Sequence, residues 1–119
     1  MSTNELLQVV LNTLDDNKGK DVKVIDVRGK TGITDFMVIA SGTSERHVRS
    51  LANHVLEESK KQQVQPLGVE GQNTGEWVLV DLCDVIVHVM KPQTREFYQL
   101  EKFWQGDYSK SYAVAGTLH

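Results

Sequence analysis

A chain of 119 residues with a net charge of −3, 39% hydrophobic residues and 24% charged residues has the composition of one soluble globular domain. No apolar run approaches the ~18 residues of a transmembrane helix, and the polar N-terminus lacks the basic segment of a signal peptide. The single cysteine excludes an intrachain disulfide and a zinc site built from several cysteines, so we expect a cytoplasmic protein.

The N-terminal segment, Ser2 to Asn17, is predicted to be a helix. Ser2 and Glu5 have the spacing of a capping box. Apolar residues then recur at helical spacing: Leu6, Val9, Val10 and Leu14. Because negative charge is unfavourable near a helix C-terminus, the acids that follow predict that the helix ends by about Leu14.

Two strands are predicted next, at Val22 to Arg28 and at Ile33 to Ala40. The second is a nearly continuous apolar run, which is typical of a strand covered on both faces. The turn between them, Arg28 to Gly32, resembles a phosphate-binding loop only superficially. A strand pattern follows it where a phosphate loop would open a helix, so a basic surface turn is the better interpretation.

A long amphipathic helix is predicted to run to about Gln63, with Thr43 or Ser44 as its cap. A strand that leads through Gly42-Thr43-Ser44 into a helix N-terminus is a weak candidate anion site. It supports a second hypothesis, a nucleotide-binding or nucleotidyl-transferring protein. That chemistry needs paired acids that hold a divalent metal, and Asp81 and Asp84 lie three apart across a turn rather than two apart on one strand.

Other catalytic or metal sites find little support in the sequence. His47 and His54 lie seven residues apart, whereas zinc-binding helices place histidines four apart. No Ser-His-Asp or Cys-His arrangement has local support. We therefore predict no metal, no cofactor and no catalytic residue.

The segment from Gly71 to Met90 is predicted to form a hairpin after a short strand, Leu67 to Glu70. Its loop is two residues long, either Leu82–Cys83 or Cys83–Asp84. Alternation along the strands then puts five valines on one face: Val78, Val80, Val85, Val87 and Val89. The other face carries Trp77, Leu79, Asp81, Ile86, His88 and Met90.

The valine face reads as plain core, but the second face has two interpretations. It is either a second core layer or a recognition surface, because Trp, Tyr and Met are enriched at protein interfaces. Four acids and no Lys or Arg lie between Gln62 and Met90: Glu70, Glu76, Asp81 and Asp84. They form either a solvated rim or a surface for a basic partner. Because phosphates are negatively charged, these acids argue against binding of nucleic acid by this segment.

A final helix is predicted over Thr94 to Gln105, with Phe97, Leu100 and Trp104 as its inner stripe. Tyr98 is placed at the edge of the face that carries Trp77 and His88. Gly106 ends the helix, so we expect one domain over residues 1–105 and a flexible tail over residues 106–119. The element order predicts an α/β (α+β) fold with one mixed sheet of about five strands and helices packed on it.

Four blocks of this sequence resemble the ribosomal silencing factor family, also called Iojap-like, over roughly Glu5 to Trp104. The blocks are ITDFMVIASGTSERHV at 33–48, PLGVEGQNTGEWVLVD at 66–81, DVIVHVM at 84–90 and REFYQLEKFW at 95–104. The family usually has glycine where Cys83 stands, in a turn that needs a positive φ.

The resemblance implies a protein that is not an enzyme, with a nucleotidyltransferase-like topology that lacks the catalytic acids. It implies binding to the large ribosomal subunit through its ribosomal protein number 14, which blocks joining with the small subunit and represses translation when nutrients are scarce. Members can self-associate, so a homodimer is also expected. We expect the apolar centre of the contact to be Trp77, Leu79, His88, Met90 and Tyr98. Glu70, Asp81 and Asp84 would pair with basic side chains of the partner.

Overall fold

The computed structural model describes the backbone of residues 1–105 and the side chains of residues 1–102, so the predicted tail lies outside the described residues. Four helices and five strands are formed in the order α1 Thr3–Asp16, β1 Lys20–Asp26, β2 Phe36–Ser41, α2 Glu45–Lys61, β3 Gly68–Glu70, β4 Trp77–Asp81, β5 Val85–Met90, α3 Pro92–Tyr98 and α4 Leu100–Gln105.

The five strands form one mixed sheet in the order β1-β2-β5-β4-β3. β2 and β5 are parallel, and the remaining neighbours are antiparallel. The predicted mixed sheet is therefore confirmed. The order places β5 in the centre of the sheet and leaves β1 and β3 as its two edges.

The helices lie on both faces of the sheet. Helices α1 and α2 cover one face, where their leucines and valines join the hairpin valines in the larger core cluster. The smaller cluster lies on the other face, where Leu100 of α4 packs with Met90 of β5 and Ile39 of β2. The sheet thus separates two hydrophobic core clusters, and α4 covers only part of the second face.

Both long helices begin with side-chain caps. The Ser2 hydroxyl accepts from the Glu5 N–H and the Glu5 carboxylate accepts from the Ser2 N–H, as the capping box predicts. The Ser44 hydroxyl accepts from the His47 N–H at the start of α2. Helix α1 runs to Asp16, beyond the predicted end, because Asn17 caps it by donating from its side chain to the Thr13 carbonyl.

Strand boundaries differ from the predictions by a few residues. β1 begins at Lys20 rather than Val22, and β2 begins at Phe36 rather than Ile33. Ile33 is 65% exposed in the preceding loop, so it is not part of the covered run. Pairing with β5 decides the start, since the Phe36 N–H donates to the Asp84 carbonyl at the hairpin turn.

The prediction of one C-terminal helix is wrong. Gln99 has a left-handed backbone with φ 48°, which ends α3 after Tyr98 and restarts the chain as α4 at Leu100. Within residues 1–105, no helix combines the length and the apolar character needed to cross a bilayer.

Candidate functional site

The turn of the β4–β5 hairpin has the predicted two-residue loop. The Leu82 N–H donates to the Val85 carbonyl over 2.9 Å, which leaves Cys83 and Asp84 as the loop. Cys83 has a φ of 75°, and its N–H donates to the side chain of Asp81 over 2.9 Å. The positive φ agrees with the glycine that the family resemblance placed at this position.

The valine face of the hairpin is buried core, as predicted, and it packs against α1 and α2. All five of its valines are fully buried: Val78, Val80, Val85, Val87 and Val89. Because side chains alternate along a strand, this packing directs the opposite face away from the two long helices.

The opposite face becomes less buried toward the β3 edge of the sheet. Glu70 pairs with Leu79, and Leu79 pairs with His88, so the three side chains form a row on one face. Glu70 is exposed, Leu79 is half-buried and His88 is only 5% exposed. Contact with a partner is therefore possible at the β3 and β4 end of this row.

Three aromatic rings meet where α3 approaches β4. The ring centroids of Trp77 and Tyr98 are 4.9 Å apart, and those of Phe97 and Tyr98 are also 4.9 Å apart and nearly perpendicular. These are favourable geometries for aromatic pairs. Trp77 is half-buried, whereas Tyr98 is 53% exposed and Phe97 is 79% exposed. The predicted placement of Tyr98 beside Trp77 is confirmed.

His88 lies beneath Trp77. The indole Nε1–H of Trp77 donates to His88 Nδ1 over 2.9 Å, and the two ring centroids are 5.7 Å apart. Because Nδ1 accepts, we assign the ring proton to Nε2. Burial lowers the pKa of His88 to about 4, so the imidazole is neutral at neutral pH.

The structure corrects the expected position of two candidate residues. Met90 is completely buried and packs with Ile39 and Leu100, while His88 is buried under Trp77. The expectation that both lie at the surface is wrong, because α4 covers the end of the face that carries Met90. Both residues lie beneath the surface, where they contact Trp77.

Phe97 was placed on the inner stripe of a single helix, and that placement is wrong. The left-handed turn at Gln99 breaks the helical spacing, so that Leu100 is buried while Phe97 faces solvent. Gln99 is neither Gly nor Asn, the residues that favour a left-handed backbone, so the sequence carried no signal for the break. Phe97 is thus a candidate contact residue that the sequence analysis missed.

The three acidic candidates lie at different distances from the aromatic rings: Glu70 is beside Leu79 on β3, Asp81 ends β4, and Asp84 lies in the hairpin loop. Glu70 and Asp84 are exposed, and Asp81 is half-buried. Asp84 accepts a hydrogen bond from the Thr3 hydroxyl over 3.2 Å, and none of the three acids forms an ion pair with a described residue. Asp84 is therefore directed toward α1, the helix that covers the valine face, and not toward the opposite face as expected. We call the following set the aromatic–acidic face: Glu70, Trp77, Leu79, Asp81, Phe97 and Tyr98.

The polar groups of the Gly42-Thr43-Ser44 loop are engaged within the chain. The Thr43 N–H donates to His47 Nδ1 over 2.9 Å, and the Ser44 hydroxyl accepts from the His47 N–H. Glu45 adds a negative charge to the first turn of α2. These contacts cap a helix and do not favour an anion.

The remaining histidine contacts are also structural. His47 Nε2 lies 2.9 Å from the Asn17 carbonyl oxygen, which ties α2 to the end of α1. His54 Nδ1 donates to the Ser50 carbonyl one turn earlier in α2, over 2.8 Å. Across the part of the chain that the structure describes, no three His, Cys, Asp or Glu side chains form a group that could hold a metal ion.

Comparison with known families gives a match over residues 1–116 to the family described as "Ribosomal silencing factor during starvation". The chain belongs to the ribosomal silencing factor family. This is not a known enzyme family. The ribosomal silencing factor RsfS of Haemophilus influenzae is 48% identical over 99 residues, which cover 83% of this chain and 97% of that protein.

Two further relatives show the range of the family. A mouse protein named "Mitochondrial assembly of ribosomal large subunit protein 1" is 34% identical over 101 residues, which cover 82% of this chain and 44% of the mouse protein. A crystal structure of a Chromobacterium violaceum protein is similar with a TM-score of 0.87 and 41% identity, and the match covers 90% of this chain and 89% of that one. Both the sequence and the fold of the family therefore extend over nearly the whole domain.

Proposed function

We propose that this protein binds the large ribosomal subunit through ribosomal protein number 14 and sterically blocks joining with the small subunit. The observation that carries the proposal is the aromatic–acidic face, which exposes aromatic rings on the same face of the sheet as Glu70 and Asp81, two acids that have no ion-pair partner among the described residues. Ribosomal proteins are basic, so a surface of this charge complements them.

The energetic centre of the contact is expected at the aromatic rings. Interfaces gain most of their binding free energy from a few large side chains near the centre of the contact, and rim charges contribute little. Trp77 and Tyr98 are already held in place by each other and by the sheet, so docking them costs little ordering entropy. The acids would mainly steer the encounter and set its orientation.

Relatives support the subunit that we propose. The mouse relative is named for assembly of the large ribosomal subunit, and the family description names ribosomal silencing during starvation. By analogy, we propose that this chain represses translation under nutrient limitation, is located in the cytoplasm and can form a homodimer.

Sedimentation with purified ribosomal subunits tests the proposal. On a sucrose gradient, we expect the protein to travel with the large subunit and to reduce the amount of the joined particle. A protein that stays at the top of the gradient, with joining unaffected, would contradict the proposal.

Substitutions on the aromatic–acidic face locate the contact. We expect Trp77→Ala to weaken binding to the large subunit by about 2 kcal/mol or more, and Tyr98→Ala to weaken it without disturbing the core. The control is Val24→Ala, since Val24 is 38% exposed on β1 at the opposite edge of the sheet. If Val24→Ala weakened binding as much as Trp77→Ala, the assignment of the surface would be wrong.

A further inference from the structure

His88 occupies a position where a polar side chain is costly. It lies on the central strand β5, is 5% exposed, and pairs with Ile39 of β2 and Leu79 of β4, neither of which carries charge. An imidazole buried there cannot touch a docked partner. Burying it also costs free energy that a leucine would not cost, unless a hydrogen bond offsets the loss.

The hydrogen bond to Trp77 supplies that compensation. Trp77 is directly opposite Met90, so His88 is its diagonal neighbour, within reach of a long aromatic side chain. The indole Nε1–H donates to His88 Nδ1 over 2.9 Å. A rotation of the indole about its side-chain bonds would move Nε1 away from Nδ1 and leave both groups unpaired.

The other side of the indole is held by α3. The ring of Tyr98 packs on Trp77 with 4.9 Å between the centroids and 53° between the planes. The indole is therefore held between a polar acceptor below and a phenol ring beside it. The ring contact tolerates sliding, whereas the hydrogen bond is directional, so the hydrogen bond decides the orientation.

We propose that His88 is a positioning residue, which holds the indole of Trp77 in the orientation that a protein partner meets on the aromatic–acidic face. This proposal rests on the proposed function, because it concerns the same surface. It removes His88 from the contact residues and gives it an indirect function through Trp77.

Two substitutions of His88 separate its polarity from its bulk. His88→Leu fills similar space without an acceptor, and we expect about five- to tenfold weaker binding to the large subunit, the effect of losing one hydrogen bond. His88→Asn places an amide oxygen near the position of Nδ1, so binding should return toward that of the natural protein. If His88→Leu bound as well as the natural protein, the proposal would be wrong.

A double-substitution cycle with Trp77→Phe tests whether His88 acts through Trp77. Phenylalanine has no N–H group, so His88→Leu should have no further effect on binding in the Trp77→Phe protein. An equal loss in both backgrounds would show that His88 acts through general packing, which overturns the proposal. A natural protein that does not travel with the large subunit would contradict the proposed function, and a Trp77→Ala protein that binds normally would contradict the assignment of the contact face. If only His88→Leu left binding unchanged, the failure would belong to the positioning role alone.

The fluorescence emission of Trp77 reports on its hydrogen bond to His88. A residue at position 88 that only filled space would not make this emission depend on pH. The chain has two tryptophans, so Trp104→Phe leaves Trp77 as the reporter. Protonated His88 cannot accept at Nδ1, and we expect the emission of Trp77 to change with a midpoint near pH 4 while circular dichroism still reports the native fold. The His88→Asn variant should lack this midpoint. The same transition in His88→Asn would contradict the proposal.

Discussion

Cys83 has a backbone conformation that suits glycine better than cysteine. Its φ is 75°, and the Asp84 N–H donates to the Leu82 carbonyl over 3.0 Å across it, which closes a tight turn. Side chains with a Cβ are disfavoured in this region. The hairpin therefore folds with local strain at its tip, while the flanking strands supply the stability.

We predict that Cys83→Gly stabilises the protein. The left-handed conformation costs a residue with a Cβ about 1–2 kcal/mol, and the greater freedom of glycine in the unfolded chain offsets about 0.5–1 kcal/mol, so a net gain of ~0.5–1 kcal/mol is expected. Urea unfolding measures the difference. The control Cys83→Ser keeps the Cβ and should leave the stability nearly unchanged. A Cys83→Gly protein less stable than the natural one would refute this account of the turn.

Gly71 shows the same constraint at the start of the hairpin. It has a φ of 88°, and a Cβ at this position would overlap the carbonyl of Trp77. The turn that leads into β4 thus depends on a missing side chain. A glycine in a turn is expected from the sequence, but its close approach to Trp77 is a property of the fold.

The break between α3 and α4 is held by a largely buried ion pair. Arg95 donates from Nε and Nη2 to the two carboxylate oxygens of Glu101, over 2.6 Å and 3.1 Å, and from Nη1 to the Ser41 hydroxyl over 2.9 Å. The side chains of Arg95 and Glu101 are 11% and 22% exposed. These contacts fasten both short helices to the end of β2, and α3 carries Phe97 and Tyr98.

We predict that Arg95→Ala destabilises the protein by about 1–3 kcal/mol, because it leaves Glu101 without its partner in a half-buried position. Arg95 holds the pKa of Glu101 below its usual 4.5. The stabilisation is therefore present above pH 4.5 and is lost as the pH falls through the lowered pKa.

Urea unfolding at neutral and acidic pH measures this effect. The stability difference between the natural protein and Arg95→Ala should shrink as the pH falls below 4.5. Glu96→Ala is the matched control, because Glu96 is the exposed neighbour of Arg95, and it should change the stability little. A difference that stays constant with pH would show that the ion pair does not provide the stabilisation.

Charge is distributed unevenly over the molecule as a whole. The sheet order places the acidic β3–β4 edge opposite β1, where Lys20 and Lys23 are balanced by Asp21 and Asp26. No Lys or Arg lies between Gln62 and Met90, so the acids there are not balanced within their own segment. The aromatic–acidic face therefore carries negative charge even though the net charge of −3 is small. Such a field guides a basic surface toward one side of the molecule.

We predict that salt slows association with the large subunit more than it speeds dissociation. Raising the ionic strength from about 0.05 M to about 0.3 M screens exposed charges, so the association rate should fall while the aromatic contacts persist. The paired substitutions Glu70→Gln and Asp81→Asn should weaken this salt dependence. Asp16→Asn on α1 is the control. An association rate insensitive to salt would contradict electrostatic steering by this face.

Local patterns predicted the elements and their order well, with one exception. The capping box at Ser2, the cap at Ser44 and the valine alternation depend on residues close in sequence, and all three were confirmed. The break at Gln99 was not predicted, because the backbone there is held by Arg95 and Glu101 through contacts with β2. The strands also begin at other residues than predicted, because backbone pairing with the neighbouring strand decides where a strand starts.

The sequence by itself determined the family, the mixed sheet and the division of the hairpin into two faces, because these follow from motif blocks and from the two-residue period of a strand. Only the tertiary structure decided which side chains of the second face reach solvent. Helix α4 covers the end that carries Met90, and the β3 edge stays open. This exposure depends on packing between segments that are distant in the chain. As a result, Phe97 is exposed and His88 is buried beneath Trp77.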